Sequence, residues 1–382
     1  MLHADDAPGV HLPGAVLREL GSGGDWISSW WTVAVVGVLV ALTIVWAARR
    51  RRRHRRTWPL WICAPLALLL GLGVAVNSYV GYVPDVAAAR VTLAGWGIGD
   101  VHSMKHGHAH ERTGGAGQGS VDSVHIPAPS TDRMPGGSLT WIYTPPGYDA
   151  SRSTRYPVVY LVHGSPGAGG DWFAAGAVPH TMDILLAHRL VQPMIVVGMD
   201  VNGTGPSARD TECLDSTTGG SQVSTYVSRT VVPWVDATYR TDADWQHRTI
   251  GGFSSGGFCA LDLGLQPPHQ FAVITAFDPD GDPGSGGRAM LATKAERDRH
   301  DATVYSRTIP LPHEVALFVA LAGIGHGQPA HDGPLIARNL RARGQPAVVF
   351  TAAGQSHTWN MARAALPHGL VFASAHMPPP TP

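Results

Sequence analysis

The sequence predicts an α/β domain with a mainly parallel central sheet flanked by helices, preceded by two apolar helices. Three observations carry that prediction. Between residues 139 and 354, short continuous apolar runs alternate with segments of helical character. Ahead of residue 84, two charge-free stretches are separated by an arginine cluster. At 382 residues and 44% hydrophobic content, the chain can bury one large core and still carry further segments.

The first apolar stretch, "WWTVAVVGVLVALTIVWAA" at 30–48, is long enough to cross a hydrocarbon layer as a helix. The second, 58–83, carries Trp58, Trp61, Tyr79 and Tyr82 near its ends, where interfacial aromatics belong. "RRRRRHRR" at 49–56 lies between them. Positive loops stay on the cytoplasmic side, so both flanks are expected outside, with residues 1–83 as a two-helix membrane anchor. A cleaved signal peptide fits poorly, because the positive cluster follows the first apolar run. The formal net charge is zero, which offers no footprint for nucleic acid. Eight of the 28 basic and four of the 28 acidic residues fall in 1–83, leaving the remainder at about −4.

Residues 84–120 have the composition of a Gly- and His-rich linker. His106, His108 and His110 alternate there, yet no carboxylate or cysteine framework accompanies them as a metal site would require. The expected catalytic domain is 121–375, followed by a Pro-rich tail at 376–382. Its strands are "LTWIYTPPGY" (139–148), "YPVVYLVHG" (156–164), "QPMIVVGMD" (192–200), "HRTIGGF" (247–253), "FAVITAFD" (271–278), "VALFVALAG" (315–323) and "PAVVFTAAG" (346–354). Unbroken apolar runs suit strands buried on both faces. Helices are expected over 181–190, 222–239 and 332–344, and alternation of the two implies a parallel sheet. Reactive groups in such sheets gather beyond the carboxyl ends of the strands.

"IGGFSSGG" at 250–257 closes one strand and opens a helix. That is the setting of a nucleophile elbow, in which a serine sits on a sharp turn between small residues. Gly252 and Gly256 flank Ser254 where a Cβ would clash, whereas Ser255 has Phe253 in place of the first glycine. Ser254 is therefore the candidate nucleophile. His357, in "AAGQSHTWN" just past the last strand, is the candidate base. The order serine then histidine is that of α/β-hydrolases. For the oxyanion, the N–H of Ser255 follows the nucleophile directly, and that of Ser165 comes from the small-residue loop "HGSPGAGGDW".

With these motifs in place, the chain resembles the esterase D group, which includes the secreted mycolyltransferases. "YPVVYLVHGSPGAGGDW", "RTIGGFSSGGFCAL" and "GQSHTWNMARAAL" carry the resemblance, over roughly residues 120–375. It implies an α/β-hydrolase fold and acyl-ester chemistry, either hydrolysis or transfer to a hydroxyl, on a small-molecule or lipid ester. The membrane-anchored N-terminus departs from the freely secreted members. The acid departs too. The group places a carboxylate shortly after the penultimate strand, and here "GIGHGQPAHDGP" offers none before Asp332. Asp332 is the expected acid, with N-capping of the following helix as its competing role. Asp280, Asp282 or a Ser–His dyad without an acid are the other solutions. A hydrolase-fold binding protein with a weakened triad is the alternative reading of function.

Cys63 falls in the second apolar run. Cys213 and Cys259 are expected outside a reducing cytosol, which favours a Cys213–Cys259 disulfide. No cofactor or metal is read from the sequence.

Overall fold

A computed structural model of the chain describes residues 10–21, 29–52, 58–95, 117–135, 138–205, 208–325 and 327–382. The N-terminal part is helical: α1 Gly14–Gly21, α2 Trp30–Arg52, α3 Trp58–Val80 and α4 Val86–Gly95. α2 and α3 pack against each other, with Gly71 close to Val36. Much of their apolar surface faces outward, including Val35, Leu39 and Leu42 on α2 and Leu66, Leu69 and Leu70 on α3.

By length and composition, Trp30–Arg50 can cross a membrane. On α3 the qualifying stretch is Pro65–Val80, shorter than the roughly 20 residues a bilayer needs. Of the two expected spans, one is thus met among the described residues. Helix α4 lies where composition reads as a linker, and packs against a helix of the sheet domain. His106, His108 and His110 lie outside the described residues.

The sheet domain begins with β1 Ser120–Ile126 and β2 Ser138–Thr144, then β3 Val158–Val162, α5 Asp171–Ala174, α6 Val178–Ala187 and β4 Ile195–Met199. Helix α7 Val223–Tyr226 runs through a π-helical turn, Val227–Val231, into α8 Val232–Thr238. Next come β5 Arg248–Phe253, α9 Ser255–Leu265, β6 Val273–Phe277 and three short helices, α10 Gly284–Met290, α11 Lys294–Asp298 and α12 Ala302–Tyr305. The chain ends with β7 Ala316–Ala322, α13 Gln328–Arg341, β8 Ala347–Ala352 and α14 Trp359–His376. Beyond α14, Thr381 pairs with Arg155, which ties the Pro-rich tail to the sheet domain.

All eight strands form one sheet in the order β1-β2-β4-β3-β5-β6-β7-β8. β1, β2 and β4 pair antiparallel, and the rest of the sheet is parallel. The strands from β3 to β7 are buried on both faces, as unbroken apolar runs require. Side chains alternate between two cores: Val158, Tyr160 and Val162 face one, Val159 and Leu161 the other. The first core lies under α8, α9 and α13, and the second under α6 and α14.

Cys213 and Cys259 form a disulfide, joining the loop after β4 to the middle of α9. The sequence separation of 46 residues corresponds to about 4 kcal/mol of lost chain entropy in the unfolded state. Replacing both cysteines by serine is expected to lower stability by up to about that amount. Thermal unfolding of the full chain in detergent, compared with wild type under oxidising conditions, checks this.

Candidate active site

Ser254 stands at the junction of β5 and α9 with φ 59° and ψ −122°, a conformation unfavourable for a residue with a Cβ. The surroundings hold it there. Its N–H donates to Phe277 O at 2.9 Å, and its carbonyl accepts from the N–H groups of Gly257 and Phe258. A Cβ on Gly252 would overlap Gly256 O, and one on Gly256 would overlap the carbonyl oxygens of Val162 and His163. Only glycine lets α9 start this close to β3 and β5, so the serine hydroxyl projects above the carboxyl edge of the sheet.

His357 lies in the loop between β8 and α14. Its Nε2 is 2.9 Å from Ser254 Oγ, and its Nδ1 is 2.6 Å from Asp278 Oδ2. The imidazole is half-exposed, with 46% of its side chain accessible, whereas that of Asp278 is 6% accessible. Phe253 lies against the imidazole, with ring centroids 4.8 Å apart, and Trp359 packs on Phe253. The ring is thus backed by aromatic surface and held at both nitrogens.

The third position of this chain of hydrogen bonds is Asp278, not Asp332. Asp278 follows β6 directly with φ +49°. Its N–H donates to Ala320 O, and its Oδ1 accepts from Ala322 N–H at 2.9 Å. At the end of β7, where the resemblance places an acid, Ala322 N–H instead holds the Asp278 carboxylate and Ala320 O its backbone N–H.

Asp332 lies inside α13, which starts at Gln328, so it is not an N-cap either. Its Oδ2 accepts from Gly281 N–H at 3.0 Å, and its Oδ1 meets His331 Nδ1 at 2.9 Å. Asp282 accepts from Gly284 N–H and from Gln328. Asp280 is half-buried within electrostatic reach of His357. Burial pushes its carboxyl up, the histidine opposes this, and neighbouring aspartates add to it.

Ser165 and Ser255 lie on either side of the nucleophile. Ser255 opens α9, where N–H groups have no intrahelical partner. A Cβ on Gly164 would lie 3.2 Å from Phe253 O and 3.4 Å from Ser254 Cβ, so the chain enters Ser165 close beside the elbow. Ser165 Oγ donates to Arg209 O at 2.6 Å, turning the hydroxyl aside. Among the described residues, neither N–H donates to a backbone carbonyl.

Beneath this loop, His163 Nε2 accepts from Val201 N–H at 3.1 Å, which assigns the ring proton to Nδ1, 2.7 Å from Gly164 O. No group of three or more His, Cys, Asp or Glu among the described residues is arranged to hold a metal ion.

Residues 133–318 match the Esterase family model. The matched segment holds Ser254 and Asp278 and ends before His357. An uncharacterized protein of Corynebacterium glutamicum is 32% identical over 163 residues, 42% of this chain and 37% of that one. An esterase of Mycobacterium tuberculosis is 33% identical over 137 residues, 35% of this chain and 27% of that one. The chain therefore spans between 27% and 37% of the length of these curated relatives.

Among solved structures, a ferulic acid esterase superposes with a TM-score of 0.58 at 21% identity, covering 68% of this chain and 100% of that one. An S-formylglutathione hydrolase from Agrobacterium tumefaciens gives 0.56 at 16% identity, covering 70% and 99%. These likenesses show the α/β-hydrolase fold.

Asp278→Asn is expected to lower kcat on a p-nitrophenyl ester by about 10³- to 10⁴-fold. Asp332→Asn is expected to stay within about threefold, because its partners are Gly281 and an exposed histidine. Steady-state kinetics on the two variants separates them.

Glu212 gives a second expectation, one of pH. Burial, and then Asp210, push its carboxyl well above the ordinary range, and among the described residues its Oε2 has no hydrogen-bond partner. The folded chain keeps this proton after the unfolded chain has released it. Stability therefore falls as pH rises from the ordinary carboxylate range through the raised folded value. Glu212→Gln removes that loss. The variant should melt higher than wild type at pH 7.5 and gain nothing at pH 3.5, as differential scanning calorimetry would show.

Proposed function

We propose that this chain is a membrane-anchored serine esterase that works through an acyl-enzyme on Ser254. The observation that carries the reading is the continuous hydrogen-bond path from Ser254 through His357 to the buried Asp278. In this mechanism His357 takes the serine proton as the hydroxyl attacks the ester carbonyl. Asp278 holds the imidazole with Nε2 toward the serine and stabilises the imidazolium as it forms. The N–H groups of Ser165 and Ser255 receive the oxyanion.

The protonated histidine then donates to the leaving alkoxide. Water or an acceptor hydroxyl, deprotonated by the same histidine, releases the acyl group and restores Ser254. Hydrolysis and acyl transfer share every one of these residues. The substrate is an ester of a small molecule or lipid, in keeping with the esterase names of the relatives. The competing view, a hydrolase-fold binding protein with a broken triad, needs the acid to be missing, and the Asp278–His357 hydrogen bond favours the enzyme instead.

For location, the reading keeps Trp30–Arg50 as a membrane span and α3 as its returning partner. Arg49–Arg56 then face the cytoplasm, and the catalytic domain lies outside it. The Cys213–Cys259 bond supports an oxidising surrounding for that domain.

Incubating the purified chain with p-nitrophenyl esters of graded acyl length and a fluorophosphonate probe tests the chemistry. Ser254→Ala should abolish both labelling and at least about 10⁴-fold of ester turnover. Turnover and labelling that survive in Ser254→Ala would overturn the proposal.

A further inference from the structure

The short stretch that leaves α3 touches both loops of the site. Asn77 folds it into a turn, its Nδ2 donating to Val83 O and its Oδ1 accepting from Val83 N–H, both at 2.8 Å. Asn360, three residues after His357, donates through Nδ2 to the carbonyls of Ser78 (3.2 Å) and Tyr79 (2.9 Å). Arg363 Nη1 donates to Gly81 O at 3.0 Å and to Ala175 O, at the end of α5, at 2.6 Å. The turn cannot shift easily, since Gly81 has φ +74° and a Cβ there would overlap the Asn360 side chain.

Tyr82 completes the contact on the opposite side. Its hydroxyl donates to Asp171 Oδ1 at 2.7 Å, and Asp171 Oδ2 accepts the N–H of Ala168 at 2.9 Å. Asp171 is buried. Ala168 stands three residues beyond Ser165, in the same loop. Asn202 holds that loop from the other side, donating to Gly167 O at 2.8 Å. A Cβ on Gly167 would come within 2.7 Å of Asp171 Oδ2, so the carboxylate is wedged directly under the loop. Removing the Tyr82 hydroxyl leaves one oxygen of a buried carboxylate without its donor. Such a group is costly, and the cost is relieved by movement of the loop it supports.

We propose that Tyr82 is a positioning residue of the active site: through Asp171 it fixes the Ser165–Ala168 loop, and with it the oxyanion donor at Ser165. The inference rests on the acyl-enzyme reading for its kinetic consequence, and on the hydrogen bonds alone for its structural one. It makes the segment following α3 a working part of the catalytic unit instead of a tether. Neither the nucleophile, the base nor the acid is moved by the change. The expected defect is therefore in transition-state stabilisation, with ground-state binding spared.

The test uses the full chain in detergent or lipid discs. Tyr82→Phe should lower kcat on p-nitrophenyl butyrate about tenfold while KM stays within about twofold. In the same variant, hydrogen exchange over residues 164–172 should quicken while strand 248–253 keeps its protection. Tyr79→Phe, whose ring is exposed, serves as control and should match wild type in both measurements. Unchanged exchange over 164–172 overturns the proposal. Loss of protection spread equally to strand 248–253, or a defect confined to KM, also overturns it, since Tyr82 would then be only a stability contact. Absence of ester turnover in the wild type would defeat the acyl-enzyme reading, and the exchange comparison would still decide whether Tyr82 holds the loop.

Discussion

The close approach of α9 to the ends of β3 and β5 is the contact on which the catalytic arrangement depends. Gly252 and Gly256 bring backbone against backbone, leaving no room for a side chain at either position. That approach imposes a positive φ on Ser254, a strain of roughly 1–3 kcal/mol that the surrounding sheet must hold. The strain has a use. It lifts the hydroxyl clear of the sheet edge and leaves the first N–H groups of α9 beside it. The disulfide adds to the restraint by joining the middle of α9 to the loop after β4. That loop in turn touches the loop after β3 through Arg209 O and Ser165 Oγ.

The same edge explains how the acid lies one strand away from its expected place. β6 and β7 are neighbours in the parallel sheet, so their carboxyl ends open onto the same space below His357. A carboxylate from either can reach Nδ1. In this chain β7 contributes Ala322 N–H to the carboxylate and Ala320 O to the backbone N–H of Asp278, the residue that follows β6. The charge keeps its position while the strand that bears it changes. Only the geometry at the imidazole constrains the site, because the acid acts by orienting the ring and balancing its charge.

Much of this was legible in the residues. Unbroken apolar runs mark β3, β4, β6 and β7, because burial on both faces removes the polar alternation. The elbow and His357 are legible because each pairs a chemical residue with a local structural signal. Asp278 was not, since it ends the run "FAVITAFD" and reads as part of the strand. Its signal was its position as the first residue beyond β6. β1 escaped because an edge strand, "SVDSVHI", need not be apolar. α14 escaped because glycine, proline and two histidines interrupt its pattern, and tertiary packing decides its helicity. α4 and the contacts of Tyr82 depend on surfaces far apart in sequence, which no local pattern encodes.

The N-terminal helices raise a question of solvent. Leu66, Leu68, Leu69, Leu70 and Leu72 are each between 59% and 65% exposed on α3, and α2 presents a similar face. So large an apolar surface is not tolerated in water and requires a cover. On the membrane-anchored reading, the bilayer supplies it. The end of α3 is hydrogen-bonded to Asn360, in the first turn after His357, so catalytic site and bilayer surface would be held at a fixed separation. A flexible tether would let the site sample every orientation. Here the hydrogen bonds from Asn360 and Arg363 fix one, and residues 78–82 join the hairpin to both loops around the nucleophile. On that reading, placement at the membrane and support of the site draw on the same few contacts.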